Sequence, residues 1–166
     1  MALNSLYSTQ IFVYSTTLPD VEDVARHIHR NAQSIDSALA AGSPEVVDTI
    51  AKVAVPEKKD RNYYSFATKY CSWQRPERYP IWDSHVDRYL WSLQKQTGFA
   101  KFFNANADLW ACPRFREVMT AFRDRYGLGS FTFKEIDKFL WLYGGKSSAI
   151  EAIPIETDPP PDPVCP

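Results

Sequence analysis

The stretch SFATKYCSWQRPERYPIWDSHVDR, residues 65–88, divides into three parts. Tyr63, Phe66, Ala67, Tyr70 and Cys71 recur at helical spacing, which predicts a helix from Asn62 to Trp73. Pro76 and Pro80 in QRPERYP stop it, because proline lacks an amide donor and restricts the residue before it. Asp83 then stands at the N-cap of a second helix with Val86, Tyr89, Leu90 and Leu93 inward, ended at Gly98. Helix, proline loop, helix is the pattern of an α protein, and the flanking sequence repeats it.

Upstream, Asp20 follows Pro19 as a predicted N-cap, with a stripe of Val21, Val24, Ala25, Ile28, Ala32, Ile35 and Leu39 ended by Gly42. Ser43-Pro44 supplies a cap and a first-turn proline for a short helix toward Val53, and PEKKDR reads as a polar connection. Downstream, Pro113 opens a helix with Phe115, Val118, Met119, Phe122 and Tyr126 on one face, broken by YGLGS. Thr132 and Glu135 form the T-x-x-E capping box of FKEIDKFLWLY, closed by Gly144-Gly145. TQIFVYSTT near the start is β-branched and is compatible with either a strand or an irregular helix. The expected architecture is mainly α, a compact bundle of about six helices forming one domain over residues 1–150. Residues 151–166 are proline-rich and acidic, expected to be a disordered tail or an extended arm.

The chain has 166 residues, 45% of them hydrophobic, enough for one domain with a real core. No apolar run reaches the roughly 20 residues that span a bilayer, so no membrane partner is expected. MALNSLYSTQ lacks a basic n-region and an apolar block, and three scattered cysteines give neither a disulfide framework nor a CxxC pair. A reducing, cytoplasmic location is therefore expected. The net charge of −1 is uneven: residues 58–78 carry 6 basic groups against 2 acidic ones. A local excess of that kind can attract a polyanion even on a neutral protein.

Two residues in the opening stretch suggest chemistry. Ser65, Lys69 and Ser72 share a narrow helix face beside the apolar stripe, with Trp73 one turn on from Lys69. A lysine among hydroxyls and aromatics is partly desolvated, which lowers its pKa and favours the neutral amine that a nucleophile requires. Its ordinary alternative is a surface lysine on an amphipathic helix. Asp83 likewise reads first as a helix cap, but a capped carboxylate is also a fixed anion able to stabilise positive charge developing nearby.

SFATKYCSW followed by YPIWDSHVDRYL resembles the catalytic segment of the helix-hairpin-helix DNA glycosylase superfamily, in particular its bacterial 8-oxoguanine glycosylase-like branch. Lys69 matches the lysine of that motif, Pro80 its proline, Asp83 its aspartate, and Val86 with Arg88 its tail. The match covers roughly residues 62–92, about a fifth of the chain. Two departures stand out: KKDRNYYSFATK has no glycine or proline where the superfamily carries LPGVGxxTA, and the lysine-to-aspartate loop is short. The chain is also small, so one helical lobe is expected to be reduced.

The resemblance implies excision of a damaged purine such as 8-oxoguanine from double-stranded DNA by a monomeric enzyme without a cofactor. Lys69 would attack C1′, Asp83 would stabilise the sugar cation, and a Schiff base would permit strand cleavage. Trp73, Trp82 and Phe66 would hold the flipped base. Lys58, Lys59, Arg61, Arg75 and Arg78 would grip the duplex, joined by Arg116 and Arg123. His27 and His29, two apart on a helix, cannot chelate one metal, and neither a P-loop nor a G-x-S-x-G elbow occurs. The alternative is a non-enzymatic DNA- or protein-binding module on a glycosylase-like scaffold, with FLWLYGG as a partner surface.

Overall fold

Seven α-helices account for most of the residues described in the computed structural model, which are 19–54, 61–100 and 108–144. They are α1 (Pro19–Arg30), α2 (Ala32–Ala41), α3 (Val46–Ala51), α4 (Tyr64–Gln74), α5 (Ser84–Thr97), α6 (Cys112–Arg125) and α7 (Phe133–Gly144). A 3-10 turn (Asp108–Trp110) precedes α6. Two short strands, β1 (Lys52–Val53) and β2 (Arg61–Asn62), pair antiparallel with Val53 opposite Arg61. The protein is mainly α, as the periodicity predicts. No helix among the described residues is long and apolar enough to cross a membrane. TQIFVYSTT and the proline-rich tail lie outside the described residues.

The first predicted helix is in fact two. Asn31 departs from helical geometry (φ −104°, ψ 10°) and its side-chain amide donates to the His27 carbonyl at 2.8 Å. Asparagine competes for backbone partners in this way, and the break separates α1 from α2. The first of them starts at Pro19, so Asp20 falls inside its first turn rather than at its cap. A 2.6 Å bond joins the His27 ring to the Thr49 carbonyl and ties α1 to α3.

Gly42 ends α2 at φ +72°, a left-handed cap that only glycine adopts readily. The exposed carbonyls there receive two arginines from distant elements. Arg78 Nη1 donates to the Ala41 carbonyl and Arg116 Nη1 to that of Gly42, each at 3.1 Å. Cations favour this end of a helix dipole, so the two arginines fasten α6 and the 75–83 loop onto α2.

The core forms where α3 packs on α4 and α5 packs on α7. Val46, Val47, Ile50 and Ala51 are buried on α3, with Tyr64, Ala67 and Cys71 on α4. Val86, Tyr89 and Leu90 on α5 are buried, as are Phe133, Ile136 and Leu140 on α7. The proline loop starts on the surface and then turns inward: Tyr79, Pro80, Ile81 and Trp82 are all buried. The Tyr79 hydroxyl satisfies its own burial by donating to the Ser43 carbonyl at 2.9 Å. The capping box forms as expected, Thr132 N–H donating to Glu135 and the Glu135 amide to Thr132 Oγ1.

Candidate functional site

Lys69 projects from the middle of α4 and is only 5% exposed. Burial drives its pKa below that of an ordinary lysine, although Asp83 and Asp137 pull in the opposite direction. The outcome follows from magnitudes: desolvation outweighs two opposite charges. Asp83 arrives from the proline loop and caps α5, its Oδ1 accepting from the His85 and Val86 amides at 2.9 Å each. Both lone-pair partners come from the helix backbone, so the carboxylate cannot swing without uncapping the helix.

One hydroxyl sets these two residues against each other. Thr68, fully buried beside Lys69, accepts the Trp82 amide at 3.1 Å and donates to the Ser65 carbonyl at 3.1 Å. Residues 68 and 82 are thus stapled, which holds the backbones at 69 and 83 near one another. The α5 side is braced in turn by Arg88, which bonds the Ser84 carbonyl and the His85 ring at 3.1 Å.

The third charged member is Asp137 on α7. Its carboxyl pKa is pushed up to about 7, first by burial and then by the Asp83 charge, with Lys69 and Lys134 opposing. Its Oδ1 is buried without a hydrogen-bond partner. The sequence reading did not single it out, yet a signal was there. Asp137 sits four residues after Phe133 and three before Leu140, between the inward positions of α7, where an acid is not expected.

The three expected base-binding aromatics separate. Trp82 is 6% exposed, with the Tyr64 and Trp110 rings at 5.6 and 4.1 Å. Its indole nitrogen is directed toward Asp87, whose pKa burial raises with the Trp82 N–H opposing. Phe66 is 7% exposed and packs beside Tyr70. Both rings are core in this conformation, so neither presents a face on which a base could stack. Trp73 differs: it is 52% exposed at the end of α4, with the Lys134 ammonium 5.0 Å from its ring centre.

Among the expected duplex-gripping cations, Arg75 is exposed at the C-cap of α4. Arg78 and Arg116 hold the end of α2 instead, and Arg123 donates to the Gly129 carbonyl and lies over Phe133. Each of these three gives a donor to a carbonyl left over at a helix or turn end and so serves the fold. Lys58 and Lys59 lie outside the described residues, and Arg61 is placed only through its backbone pairing with Val53. Burial raises the thiol pKa values of Cys71 and Cys112, which makes both unreactive. Among the described residues no group of three or more His, Cys, Asp or Glu side chains is placed to hold a metal ion.

Comparison with known proteins adds two matches. No solved structure matches the chain. An uncharacterized protein of Haemophilus influenzae is 36% identical over 141 residues, which cover 85% of this chain and 62% of that protein. The chain therefore spans under two thirds of its relative's length. Residues 1–78 are similar to the family model HI_0787_N, described as an N-terminal domain; the match takes in Lys69 and stops short of Asp83.

Proposed function

We propose that the chain is a DNA glycosylase with an associated lyase step, removing a damaged purine such as 8-oxoguanine through a lysine Schiff base. The observation that carries this reading is Lys69, an amine buried to 5% exposure within the field of a carboxylate fixed by two helix amides. That pairing joins a lowered lysine pKa to an anion that cannot move away, the combination the glycosylase-like motif predicts at these positions. Neither match to known proteins names an activity, so the reading rests on these side chains and on the motif.

In this mechanism the nucleotide is flipped from the duplex and its base held against Trp73. The Lys69 amine attacks C1′ as the bond to the base breaks, and Asp83 stabilises the oxocarbenium-like sugar. Borohydride trapping on a duplex containing 8-oxoguanine tests it. A covalent protein–DNA adduct is expected, lost in a Lys69→Gln variant that melts normally.

The second reading, a non-enzymatic binding module, draws on the outer face of α7. Trp141 and Leu142 are 59% and 53% exposed there. Large apolar side chains side by side in solvent suit a partner surface. Absence of any adduct across a panel of lesion-bearing duplexes would favour this module over the enzyme.

A further inference from the structure

We infer that Asp137 is the proton acceptor for Lys69, taking the ammonium proton within the site and so generating the amine; this rests on the glycosylase reading above. Three elements contribute one charged group each: Lys69 from α4, Asp83 from the N-terminus of α5, and Asp137 from α7, which packs on α5. The Lys134 ammonium, one turn before Asp137, lies 5.0 Å from the ring of Trp73, one turn after Lys69, which sets α7 against α4. Lys134, one turn earlier on α7, is the remaining charge that acts on Asp137.

The two carboxylates are not equivalent. Asp83 accepts two backbone amides at the positive end of a helix dipole, so its charge is well solvated by the protein. Asp137 Oδ1 is buried and accepts no hydrogen bond. An ionised oxygen in that condition is costly, and a buried ammonium is costly too. Moving one proton from Lys69 to Asp137 neutralises both and leaves the negative charge of the three on Asp83, where it is best supported. Total charge is unchanged by the transfer, and the expensive charges are gone.

The chemistry balances. An N–H bond of Lys69 breaks, an O–H bond forms on Asp137, and the electron pair stays on nitrogen. That pair then makes the bond to C1′ while the C1′–N9 bond breaks and its electrons leave with the purine. The proton stored on Asp137 neutralises the departing purine, directly or through water, and Asp137 returns to a carboxylate.

The test has two arms. The first uses the DNA-free protein, following Lys69 side-chain and Asp137 carboxyl NMR signals against pH. Lys69→Gln should raise the Asp137 midpoint and Asp137→Asn should lower that of Lys69, because each removes an opposite charge. Two midpoints that ignore each other's substitution would overturn the inference, whatever the protein does to DNA. The second arm measures single-turnover base release from an 8-oxoguanine duplex. Asp137→Asn should melt like wild type or higher and lose about 10²–10⁴-fold in rate near neutral pH. It should recover toward alkaline pH as solvent base takes over, and Asp137→Glu should restore part of the rate. An unchanged rate and pH profile in Asp137→Asn would also overturn the inference. Wild-type protein that forms no adduct and releases no base would sink the glycosylase reading instead, with the titrations still deciding the proton pair.

Discussion

Lys69 and Asp137 are both buried groups whose charged forms the protein disfavours, and the consequences for stability have opposite pH signs. The lowered lysine pKa means that the folded state resists a proton the unfolded chain accepts. That penalty is present below the folded pKa and is relieved as pH climbs toward 10.5. The raised aspartate pKa means that the folded state retains a proton the unfolded chain gives up. Its stabilising contribution is complete below 3.8 and is lost as pH rises through about 7. Asp137→Asn should therefore melt higher than wild type at pH 8, with the advantage growing across pH 4 to 7. A melting difference independent of pH would mean that Asp137 titrates normally. Asp83→Asn separates capping from chemistry in the same way, since asparagine caps helices about as well as aspartate. Unfolding should be nearly unchanged, while base release falls on the order of 10²–10³-fold with the loss of charge at the sugar. A single-turnover rate within a few-fold of wild type would reduce Asp83 to a cap.

Beyond the packed pairs α3–α4 and α5–α7, the end of α2 is a joint that receives two arginines. A Cβ on Gly42 would overlap Arg78 Nη1 and lie 2.9 Å from its Cδ, and the backbone there is left-handed. Gly42→Ala should destabilise by about 1–2 kcal/mol from the backbone alone, with an added loss as Arg78 leaves the Ala41 carbonyl. Urea unfolding measures it, and Arg78→Ala should account for the side-chain share. A Gly42→Ala variant as stable as wild type would remove this joint from the account. What could be read in advance divides along the same line. The caps of α5 and α7 were legible because their chemistry is contained within three or four residues. The break at Asn31 was not, since an apolar stripe carries through it and the side-chain bond to His27 does not show in a periodic pattern. Burial of the 79–82 loop was hidden because prolines mark a loop without saying whether it runs inward. Lys69 and Asp83 stand out through their local setting together with the motif they resemble. Asp137 became meaningful only once α7 was laid on α5.

At the scale of the whole molecule, the excess of positive charge over residues 58–78 resolves into working parts. Lys69 is buried, and Arg78, though exposed, has its guanidinium anchored at the end of α2 by the Ala41 carbonyl. Outside the segment, Arg116 and Arg123 are likewise engaged with carbonyls. The segment's remaining cations are Lys58, Lys59 and Arg61 before the helix that carries Lys69, and Arg75 after it. If these contact phosphates, binding to undamaged duplex releases counterions, and log affinity falls with log salt by about 0.9 for each phosphate neutralised. Replacing Lys58, Lys59 and Arg61 with glutamine should flatten that slope by up to one such increment per residue, and Arg75→Gln by one more. Arg116→Gln should behave differently, lowering the melting temperature with little change in slope, because its charge serves the α2 terminus. Titrations of a fluorescent duplex across a salt series distinguish the two classes directly. Affinity that ignores salt would remove nucleic acid as the partner under both readings, enzyme and DNA-binding module alike, and would leave the exposed α7 face as the surface to pursue.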